Sequence, residues 1–348
     1  MKSIKFSLTL DSPICCDEED CAYQENFILP GSMIRGALAN LYLSAIGKDQ
    51  NFDSIFLQDN QFPFLFLANT SGEPGKYAPK TTMACKRKGK EHTLQSYVED
   101  LVKPLPPMQC TKKSCGNDLK PFSGYLGTEK ENWQIRFTTH TAIHTKTDTA
   151  LPHALFREML IEYKERDKDK QKKPDFCGYG LLSEQSYSIL KNLCEQYQIL
   201  LGKSRTRGKG WAKMSLEEKK PEISRKSLEN KDYFTLHCLS PAIMLDEFLR
   251  PALFFQWKGK ELKLVASQNS ICSIRGWNVI QGLPKVEDIA IELGSVFLFQ
   301  KDDSLKEESA FAQFIEEIEE QGIGERRIEG FGKVRINDSI VVDPKPGE

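Results

Sequence analysis

Two glycine-rich loops that carry several arginines match each other along the chain. Gly202 in the first loop corresponds to Gly324 in the second, and both loops fit the pattern G-x-x-R-x-x-G-x-G-x-x-[K/R]. Glycine reaches backbone conformations that are closed to other residues, and guanidinium groups grip phosphate through paired hydrogen bonds. The pattern therefore predicts two phosphate-binding loops, and the alternative is a pair of tight turns with solvated charges. The candidate contacts are Lys203, Arg205, Arg207, Gly208, Lys209, Gly210, Arg326, Arg327, Gly330, Gly332 and Lys333.

A second set of residues that could do chemistry consists of Cys85, His92, Cys110 and Cys115. Thiolates and imidazole are the ligands of tetrahedral zinc, although the first spacing is looser than in a zinc-finger pair. The surrounding segment has little hydrophobic material, so a structural metal would explain how it folds. We therefore predict zinc at these four residues, with free thiols as the alternative. Three further cysteines could exchange with these ligands, namely Cys15, Cys16 and Cys21.

The composition is that of an ordinary soluble globular protein, with 39% hydrophobic and 28% charged residues among 348. That length is sufficient for two domains. No stretch approaches the roughly 18 apolar residues of a membrane helix, so we expect no membrane span. Apolar alternation near the N-terminus predicts a strand rather than a signal peptide, so we expect a cytoplasmic protein. Its ten cysteines are then expected to be reduced or metal-bound.

The net charge of −1 hides two basic zones and one acidic zone. Residues 80–120 hold nine Lys or Arg against four Asp or Glu, and residues 201–227 hold nine against three. Residues 285–320 hold three against eleven. Separated zones of this kind are typical of a polyanion-binding face and an acidic face elsewhere. Within the first basic zone, Lys86 and Arg87 lie beside the predicted metal site, where they could touch RNA.

The elements that must position these residues follow the same order in both halves. Apolar alternation predicts strands at Ile4–Leu10 and Trp133–Phe137, and β-prone residues predict further strands at Phe234–Leu239, Leu264–Ser270 and Ser295–Gln300. Apolar residues at helical spacing predict a helix that follows Ser32 as its N-cap, and further helices over Ala150–Tyr163, 183–200 and 306–320. Each half opens with a strand and closes with a helix, a glycine loop and a strand.

This order predicts an α+β fold of two ferredoxin-like βαββαβ modules, the type found in RNA-recognition domains. The exposed sheet face of such modules is a platform for single-stranded RNA. We expect the first module to span residues 1–217, with a zinc-binding insertion at about 70–130. The second module is expected at 232–348, after a polar linker at 218–231.

Three parts of the chain resemble the RAMP superfamily of CRISPR-associated proteins. Ile28–Leu38 (ILPGSMIRGAL) is similar to the family's P-G-S-x-x-[K/R]-G-A helix start, and Gly324–Lys333 (GERRIEGFGK) is similar to its C-terminal glycine-rich loop. A third set of motifs resembles a segment of one type III-D effector subunit, which has two RAMP modules: Gly276–Asn278, Gly282–Lys285 and Gly294–Phe297. The resemblance covers most of the chain.

The resemblance implies a non-catalytic RNA-binding subunit of a type III-D CRISPR ribonucleoprotein. It implies a place at the 5′ handle of the guide RNA (crRNA), beside the large signalling subunit and a backbone RAMP subunit. Ser32 and Arg35 would contact the RNA backbone at a helix N-terminus. The loop arginines would contact phosphates or stack on splayed bases. The structural alternatives are simple N-capping by Ser32 and an exposed surface charge at Arg35.

Relatives in the same superfamily raise the alternative of an endoribonuclease. Guide-processing relatives use a histidine, for which His144 is the candidate. Backbone subunits cleave target RNA with an aspartate in the loop before the P-G-S helix, for which Asp17 and Asp20 are candidates. Acidic loops are usually solvated, and neither set forms a full catalytic constellation, so we predict no nuclease activity. A generic single-stranded RNA-binding protein outside any CRISPR complex is the third alternative.

Overall fold

A computed structural model describes residues 1–16, 27–58, 60–96, 109–110, 112, 115–164, 173–228, 230–253, 255–278 and 282–342. Asp17, Asp20 and Cys21 therefore lie outside the described residues. The fold is α+β and rich in β-sheet, as predicted. The chain forms two compact units, Met1–Gly75 with Glu129–Lys220, and Lys76–Thr128 with Pro221–Glu348. No helix in the described part of the chain has the length and apolar character needed to cross a membrane.

The strands in chain order are β1 (Lys2–Leu10), β2 (Ile14–Cys16), β3 (Phe66–Leu67), β4 (Thr82–Cys85), β5 (Gly89–Ser96), β6 (Leu119–Pro121), β7 (Trp133–Ile143), β8 (Ala150–Tyr163), β9 (Phe176–Leu182), β10 (Ile199–Leu200), β11 (Trp211–Glu218), β12 (Tyr233–Cys238), β13 (Gln256–Trp257), β14 (Lys260–Glu261), β15 (Lys263–Gln268), β16 (Ile271–Ile274), β17 (Trp277–Asn278), β18 (Leu283–Pro284), β19 (Asp288–Ile291), β20 (Val296–Gln300) and β21 (Val334–Ile336). The α-helices are α1 (Gly31–Ala45), α2 (Gln50–Phe56), α3 (Glu184–Gln196), α4 (Glu308–Gln321) and α5 (Ser339–Val342). Short 3-10 helices cover Glu129–Asn132, Arg205–Arg207 and Arg327–Glu329.

The sheet of the first unit is antiparallel, with the strand order β10–β11–β1–β9–β3. Ile4, Phe6, Leu8 and Leu10 alternate along β1 and are all buried, because every second side chain of a strand points to the same face. Helix α1 packs against α3, and α3 packs against β11. Helix α1, which carries the N-terminal motif, and helix α3, which precedes the first glycine loop, therefore pack on the same sheet.

Helix α1 begins at Gly31 with Pro30 as its N-cap, so the prediction of Ser32 as the N-cap is wrong. The Pro30 carbonyl accepts hydrogen bonds from the backbone amides of Met33 (3.0 Å) and Ile34 (3.4 Å). Pro30 has the extended backbone of an N-cap residue, with a ψ of 146°. Because the first turn closes on this residue, Ser32 lies inside the helix rather than at its boundary.

Residues 150–163 form strand β8, not the predicted helix. β8 pairs with β7 along most of its length and with β2 through Ile14 and Ile161. Cross-strand pairs are the unit of sheet stability, so these partners override the helical spacing of the apolar residues. The result is a long β7–β8 hairpin in the first unit.

The second face of the first unit's sheet is covered by its own chain. The Glu73 carboxylate accepts hydrogen bonds from Lys219 Nζ (2.6 Å), Tyr179 Oη (2.5 Å) and Lys5 Nζ (2.9 Å). Lys5 is only 7% exposed as a result. The loop that carries Glu73 therefore closes the sheet face that an RNA-recognition domain would offer to bases.

The sheet of the second unit is also antiparallel, with the strand order β15–β20–β12–β21. Its core is aromatic and includes the fully buried side chains of Phe234, Phe297, Phe299 and Phe314. Its other face is covered by a smaller apolar cluster that includes Leu228, Val296, Leu298 and Val341. No α-helix lies between β12 and β15 in residues 239–253 and 255–262, which the structure describes.

The segment Lys76–Thr128 interrupts the first unit in sequence, near the bounds of the predicted insertion at about 70–130, and it groups with the second unit. The Lys80 amide donates to the Gly294 carbonyl at 2.7 Å, and Lys80 Nζ lies 3.0 Å from Glu292 Oε2. Gly294 has a φ of +81°, and a Cβ there would lie 2.9 Å from the Ala78 carbonyl. Contacts with residues more than 200 positions later therefore decide where this segment packs.

Candidate nucleic-acid interface and metal centre

The two glycine loops have the same backbone conformation as well as the same sequence pattern. Four positions in each loop have a positive φ between +53° and +82°. They are Gly202, Ser204, Gly208 and Gly210 in the first loop, and Gly324, Arg326, Gly330 and Gly332 in the second. A 3-10 turn lies between the second and third of these positions in both loops. The sequence match therefore corresponds to a duplicated structural device.

Several glycines of the loops are required by the chain's own backbone. A Cβ on Gly210 would lie 1.9 Å from the Leu201 carbonyl, and a Cβ on Gly332 would lie 1.8 Å from the Ile323 carbonyl. Gly208 differs, because no atom lies within 4 Å of a Cβ built there. Of these three, Gly208 is the glycine whose main chain an external partner can approach.

A second repeat, which the sequence analysis missed, anchors both loops. The dipeptide Ser12-Pro13 follows β1, and Ser240-Pro241 follows β12. The Pro13 carbonyl accepts from the Gly210 amide at 2.9 Å, and the Pro241 carbonyl accepts from the Gly332 amide at 2.7 Å. The two serine hydroxyls accept from the backbone amides of Trp211 and Lys333 at 2.8 and 2.9 Å. The Ser-Pro dipeptide that follows the first strand of each half is the sequence signal that could have revealed this repeat.

A carboxylate from a neighbouring hairpin fixes each loop. Glu158 on β8 accepts from Ser204 Oγ at 2.5 Å and from Arg207 Nη1 at 2.9 Å. The hydrogen bond from Ser204 and the charge of Arg207 lower the pKa of Glu158 despite its burial. Asp288 on β19 accepts from Arg326 Nη1 at 2.7 Å in the second unit. Ser204 and Arg326 occupy equivalent positions, so the same part of both loops is tied to a hairpin.

The loop cations therefore divide into paired and unpaired groups. Arg207 faces Glu158, and Arg326 forms ion pairs with both Asp288 and Glu329. Arg205 and Arg327 occupy the arginine position that the two loops share, and both are exposed. Within the described part of the chain, neither has an ion-pair partner. Their guanidinium groups are available to a phosphate without first leaving a carboxylate.

The remaining loop residues occupy different surroundings. Lys203 is exposed, and its backbone amide donates to the Cys15 carbonyl at 2.8 Å. Lys209 is half-buried. Burial lowers the pKa of Lys333 to about 8, against the influence of Glu320 and Glu319. Its Nζ donates to the Glu320 carbonyl at 3.2 Å, so this side chain points toward the C-terminal end of α4.

The β7–β8 hairpin places an aromatic ring, Phe156, beside the first loop. The Phe156 ring stacks on His140 with a centroid distance of 5.3 Å, and the Arg207 guanidinium lies 4.8 Å from the Phe156 centroid. Arg157 lies 3.8 Å from the centroid of Phe137. Both phenylalanines are exposed, at 38% and 46%. The register of β7 with β8 places Phe137 and Arg157 on the opposite face of the hairpin from Phe156 and Glu158. We call the face beside the loop the loop–hairpin surface, defined by Arg205, Arg207, Lys209 and Phe156.

The other predicted contacts lie on separate elements. Ser32 and Arg35 are half-buried in the first turns of α1, and Arg35 Nη1 donates to the Phe56 carbonyl at 3.3 Å. Lys86 and Arg87 are exposed between β4 and β5 in the second unit, where Lys86 Nζ lies 3.8 Å from Asp118.

Of the nuclease candidates, the described residues include His144 alone. It is exposed in the turn of the β7–β8 hairpin, and its Nδ1 lies 3.1 Å from Thr147 Oγ1. No carboxylate pairs with it in the described part of the chain. Asp17 and Asp20 lie outside that part.

Cys85, His92, Cys110 and Cys115 come together in the second unit, with all ligand atoms within 4.8 Å of one another. Cys85 Sγ lies 3.7 Å from Cys115 Sγ, and His92 Nδ1 lies 3.6 and 3.8 Å from the thiols of Cys110 and Cys85. Tetrahedral zinc with bonds of about 2.3 Å to sulfur and 2.0 Å to nitrogen requires ligand separations of roughly 3.5–3.8 Å. The four residues could therefore hold a metal ion of this size.

The surroundings of the cluster also suit a metal ligand set. Hydrogen bonds from the side chain and backbone of Asn117 lower the pKa of the Cys115 thiol to about 6. Thiolate is the form that binds metal. Cys15 and Cys16 are buried in β2 of the first unit and are not members of this cluster. Cys21 lies outside the described residues.

No protein-family model matches the chain, and no curated protein sequence matches it. Solved structures do match. The type III-B Cmr-beta complex bound to cognate target RNA contains a chain that is 13% identical, with a TM-score of 0.47 over 85% of this chain and 86% of that one. A chain of the Csm3-Csm4 subcomplex of the type III-A CRISPR-Cas interference complex is 12% identical, with a TM-score of 0.36 over 87% and 93%. Oligomeric Cmr4 from Pyrococcus furiosus is 12% identical, with a TM-score of 0.25 over 63% and 99%.

Cmr and Csm proteins of type III CRISPR complexes are thus among the structures to which this chain is similar. With identities of 12–13% and TM-scores below 0.5, these likenesses carry no argument about function. The functional interpretation rests on the contacts of the chain itself.

Proposed function

We propose that this chain is a non-catalytic RNA-binding subunit of a CRISPR ribonucleoprotein. The loop–hairpin surface is the observation that carries the proposal. Guanidinium groups suit the phosphates of RNA, and exposed phenylalanine rings are platforms on which unpaired bases stack. Arg205 offers the unpaired cation, and Phe156 offers an exposed ring beside the same loop. Single-stranded RNA is the ligand that combines both chemistries.

The strand orders support two ferredoxin-like modules of the RAMP type. In the first unit the βαββαβ strands are β1, β3, β9 and β11, and their spatial order is fourth, first, third, second. In the second unit the corresponding strands are β12, β15, β20 and β21, and their order is the same. A split βαββαβ module has this arrangement. We infer that one ancestral module, with its glycine loop, occurs twice.

The finer assignment rests on the sequence motifs. The similarity of Gly276–Asn278, Gly282–Lys285 and Gly294–Phe297 to a type III-D subunit supports membership of a type III-D complex. By the same resemblance, we propose that the chain binds the 5′ handle of the guide RNA. Its neighbours in the complex would be the large signalling subunit and a backbone RAMP subunit, and its location would be cytoplasmic.

Sequencing the RNA that co-purifies with the full chain tests this proposal. A single guide-length species with a constant 5′ end is the expected result. A mixture of cellular RNA would instead support a generic single-strand binder. Cleavage of target RNA at regular intervals, lost when Asp17 or Asp20 is changed to Asn, would contradict the non-catalytic assignment and support the nuclease.

We also propose that the ion held by Cys85, His92, Cys110 and Cys115 is structural zinc. All four positions are filled by protein ligands, which is typical of a structural rather than a catalytic zinc site. Metal analysis of the purified chain should give one zinc per molecule. Cys115→Ser should remove most of it, whereas Cys272→Ser, a thiol outside the cluster, should retain it. Protein without zinc, or equal zinc in both variants, would remove the proposal.

A further inference from the structure

The second unit contains an open groove with both apolar and charged lining residues, which RNA binding does not explain. It lies between α4 and residues 244–253 and 255–258, and its cavity volume is about 1040 Å³. Leu236, Phe255 and Leu262 line it with buried apolar side chains. Phe248 and Leu253 lie on its rim with exposures of 67% and 47%. An exposed apolar surface bordered by charge is typical of a protein-binding site.

The groove corresponds to a position that a helix fills in the first unit. There, α1 packs against α3 and β10, and it buries Ile34, Leu38 and Tyr42. The counterparts of α3 and β10 in the second unit, by the register of the glycine loops, are α4 and residues 321–322. The groove is lined by these same parts, including Ile318, Gln321 and Gly322. The described residues between β12 and β15 supply no helix to cover them.

The charges of the rim argue against RNA as the occupant. Arg250 and Lys258 face carboxylates of the rim, Asp246 at 2.8 Å and Glu317 at 3.8 Å. Glu247 and Glu325 are also exposed on the rim, where Arg327 adds one further positive charge. The outer surface of α4 adds the exposed carboxylates of Glu316 and Glu320. This acidic excess repels phosphate and attracts a basic partner.

We infer that the groove binds an amphipathic α-helix of a protein partner, with an apolar stripe flanked by Lys or Arg. The partner helix takes the place that α1 holds in the first unit, and its apolar residues at i, i+3, i+4 and i+7 fill the groove. Its basic residues face Glu247, Glu325 and the outer carboxylates of α4. The inference does not depend on the RNA proposal, which the first unit's loop–hairpin surface carries, although Arg327 on the groove's rim is also a proposed phosphate contact.

Site-specific photo-crosslinking in the full chain tests the inference. Leu253 is replaced by p-benzoylphenylalanine, and the chain is purified with its associated RNA and proteins before illumination. The matched control carries the same replacement at Val286, which is 86% exposed in the same unit and outside the groove. The expected result is a crosslink from position 253 to a peptide of another protein with helical apolar spacing and basic flanks. The control should not give this product.

Charge reversal on the rim supplies the second measurement. Glu247→Lys with Glu325→Lys should lower the crosslink yield from position 253 about tenfold, because like charges would then face each other. Glu261→Lys, an exposed change outside the groove, should leave the yield unchanged. A crosslink to RNA or to a second copy of this chain would overturn the inference, as would no crosslink at all or a yield insensitive to charge. Sequencing RNA from the same preparations tests the RNA proposal separately.

Discussion

Arg205 and Arg327 are the residues on which the RNA proposal makes its sharpest distinction. The residue just before it in each loop donates a hydrogen bond to a carboxylate of the neighbouring hairpin. Ser204 donates to Glu158 in the first unit, and Arg326 donates to Asp288 in the second. An arginine already held by carboxylates must give up those contacts before it binds phosphate. Arg205 and Arg327, the exposed arginines of the shared motif, have no ion pair to lose among the described residues.

We predict that Arg205→Ala and Arg327→Ala each weaken binding to single-stranded guide RNA. Each substitution should also reduce the slope of log affinity against log salt by about 0.7, which is the share of one phosphate contact on a single strand. Fluorescence titration at several salt concentrations measures both quantities. An unchanged affinity and slope in both variants would show that the glycine loops are not the RNA contact.

Arg326→Ala is the matched comparison within the same loop. Its side chain is 23% exposed and pairs with Asp288 and Glu329. We expect this change to lower the free energy of unfolding by about 1–3 kcal/mol, because two carboxylates lose their partner. Its effect on the salt slope should be smaller than that of Arg327→Ala. A larger slope change at Arg326 would mean that RNA displaces the carboxylates.

At the scale of elements, each glycine loop depends on a close backbone crossing. We predict that Gly210→Ala lowers the free energy of unfolding by about 3 kcal/mol or more, because its Cβ would lie 1.9 Å from the Leu201 carbonyl. Gly208→Ala is the control, since Gly208 has a similar φ of +75° but open space around it. That change should cost only about 1–2 kcal/mol of left-handed strain. Urea unfolding distinguishes them, and equal losses would contradict the close crossing.

The loop that closes the first unit's sheet should give a pH-dependent contribution to stability. Burial raises the pKa of Glu73, but hydrogen bonds from Lys219, Tyr179 and Lys5 outweigh it and lower the pKa from 4.5 to about 2. A carboxyl with a depressed folded pKa stabilises the protein above its unfolded pKa and loses this contribution as the pH falls through the folded value. Glu73→Gln should therefore cost at most about 3 kcal/mol near neutral pH.

The difference between wild type and Glu73→Gln should shrink as the pH falls from 4.5 toward 2. Urea unfolding at a series of pH values measures it. Glu195→Gln, a change at an exposed carboxylate on α3, serves as the control and should show little difference at any pH. A Glu73→Gln difference that stays constant with pH would mean that the ionised carboxylate is not the source of the stability.

Local periodicity predicted several elements well. Apolar alternation predicted β1, runs of β-prone residues predicted β12, β15 and β20, and amphipathic spacing predicted α3 and α4, all near their observed bounds. Each pattern lies within a single element, so it is visible in the sequence, whether one face is buried, as in α3, or both, as in β20. β8 was predicted as a helix because its apolar residues have helical spacing, which its pairing with β7 and β2 overrides. The hairpin and its carboxylate, Glu158, were missed for the same reason.

At the scale of the whole molecule, the duplicated loops and the Cys/His cluster were visible from residue types and spacing. The unit to which the Cys/His cluster belongs could not be predicted from residue types and spacing. Lys76–Thr128 lies between two parts of the first unit in sequence, yet it groups with Pro221–Glu348. Its docking contacts are a backbone hydrogen bond and the ion pair of Lys80 with Glu292. Neither leaves a periodic pattern, so the sequence did not indicate the unit with which this segment packs.

This grouping predicts which unit weakens when the docking contact is removed. Lys80→Met leaves Glu292, whose side chain is 20% exposed, without its cation. We expect a loss of about 1–3 kcal/mol in the second unit, because a partly buried carboxylate loses its charged partner. Hydrogen exchange should show reduced protection in β12 and β20, with β1 unchanged.

Lys86→Met is the matched control in the same segment, because Lys86 forms only an exposed pair with Asp118 at 3.8 Å. Exposed pairs contribute at most about 1 kcal/mol, so exchange in β12 and β20 should remain close to that of the wild type. Reduced protection of β1 and β9 in Lys80→Met would instead assign the segment to the first unit. Because the same peptides report on both outcomes, one exchange experiment decides which half of the chain the metal-bearing segment stabilises.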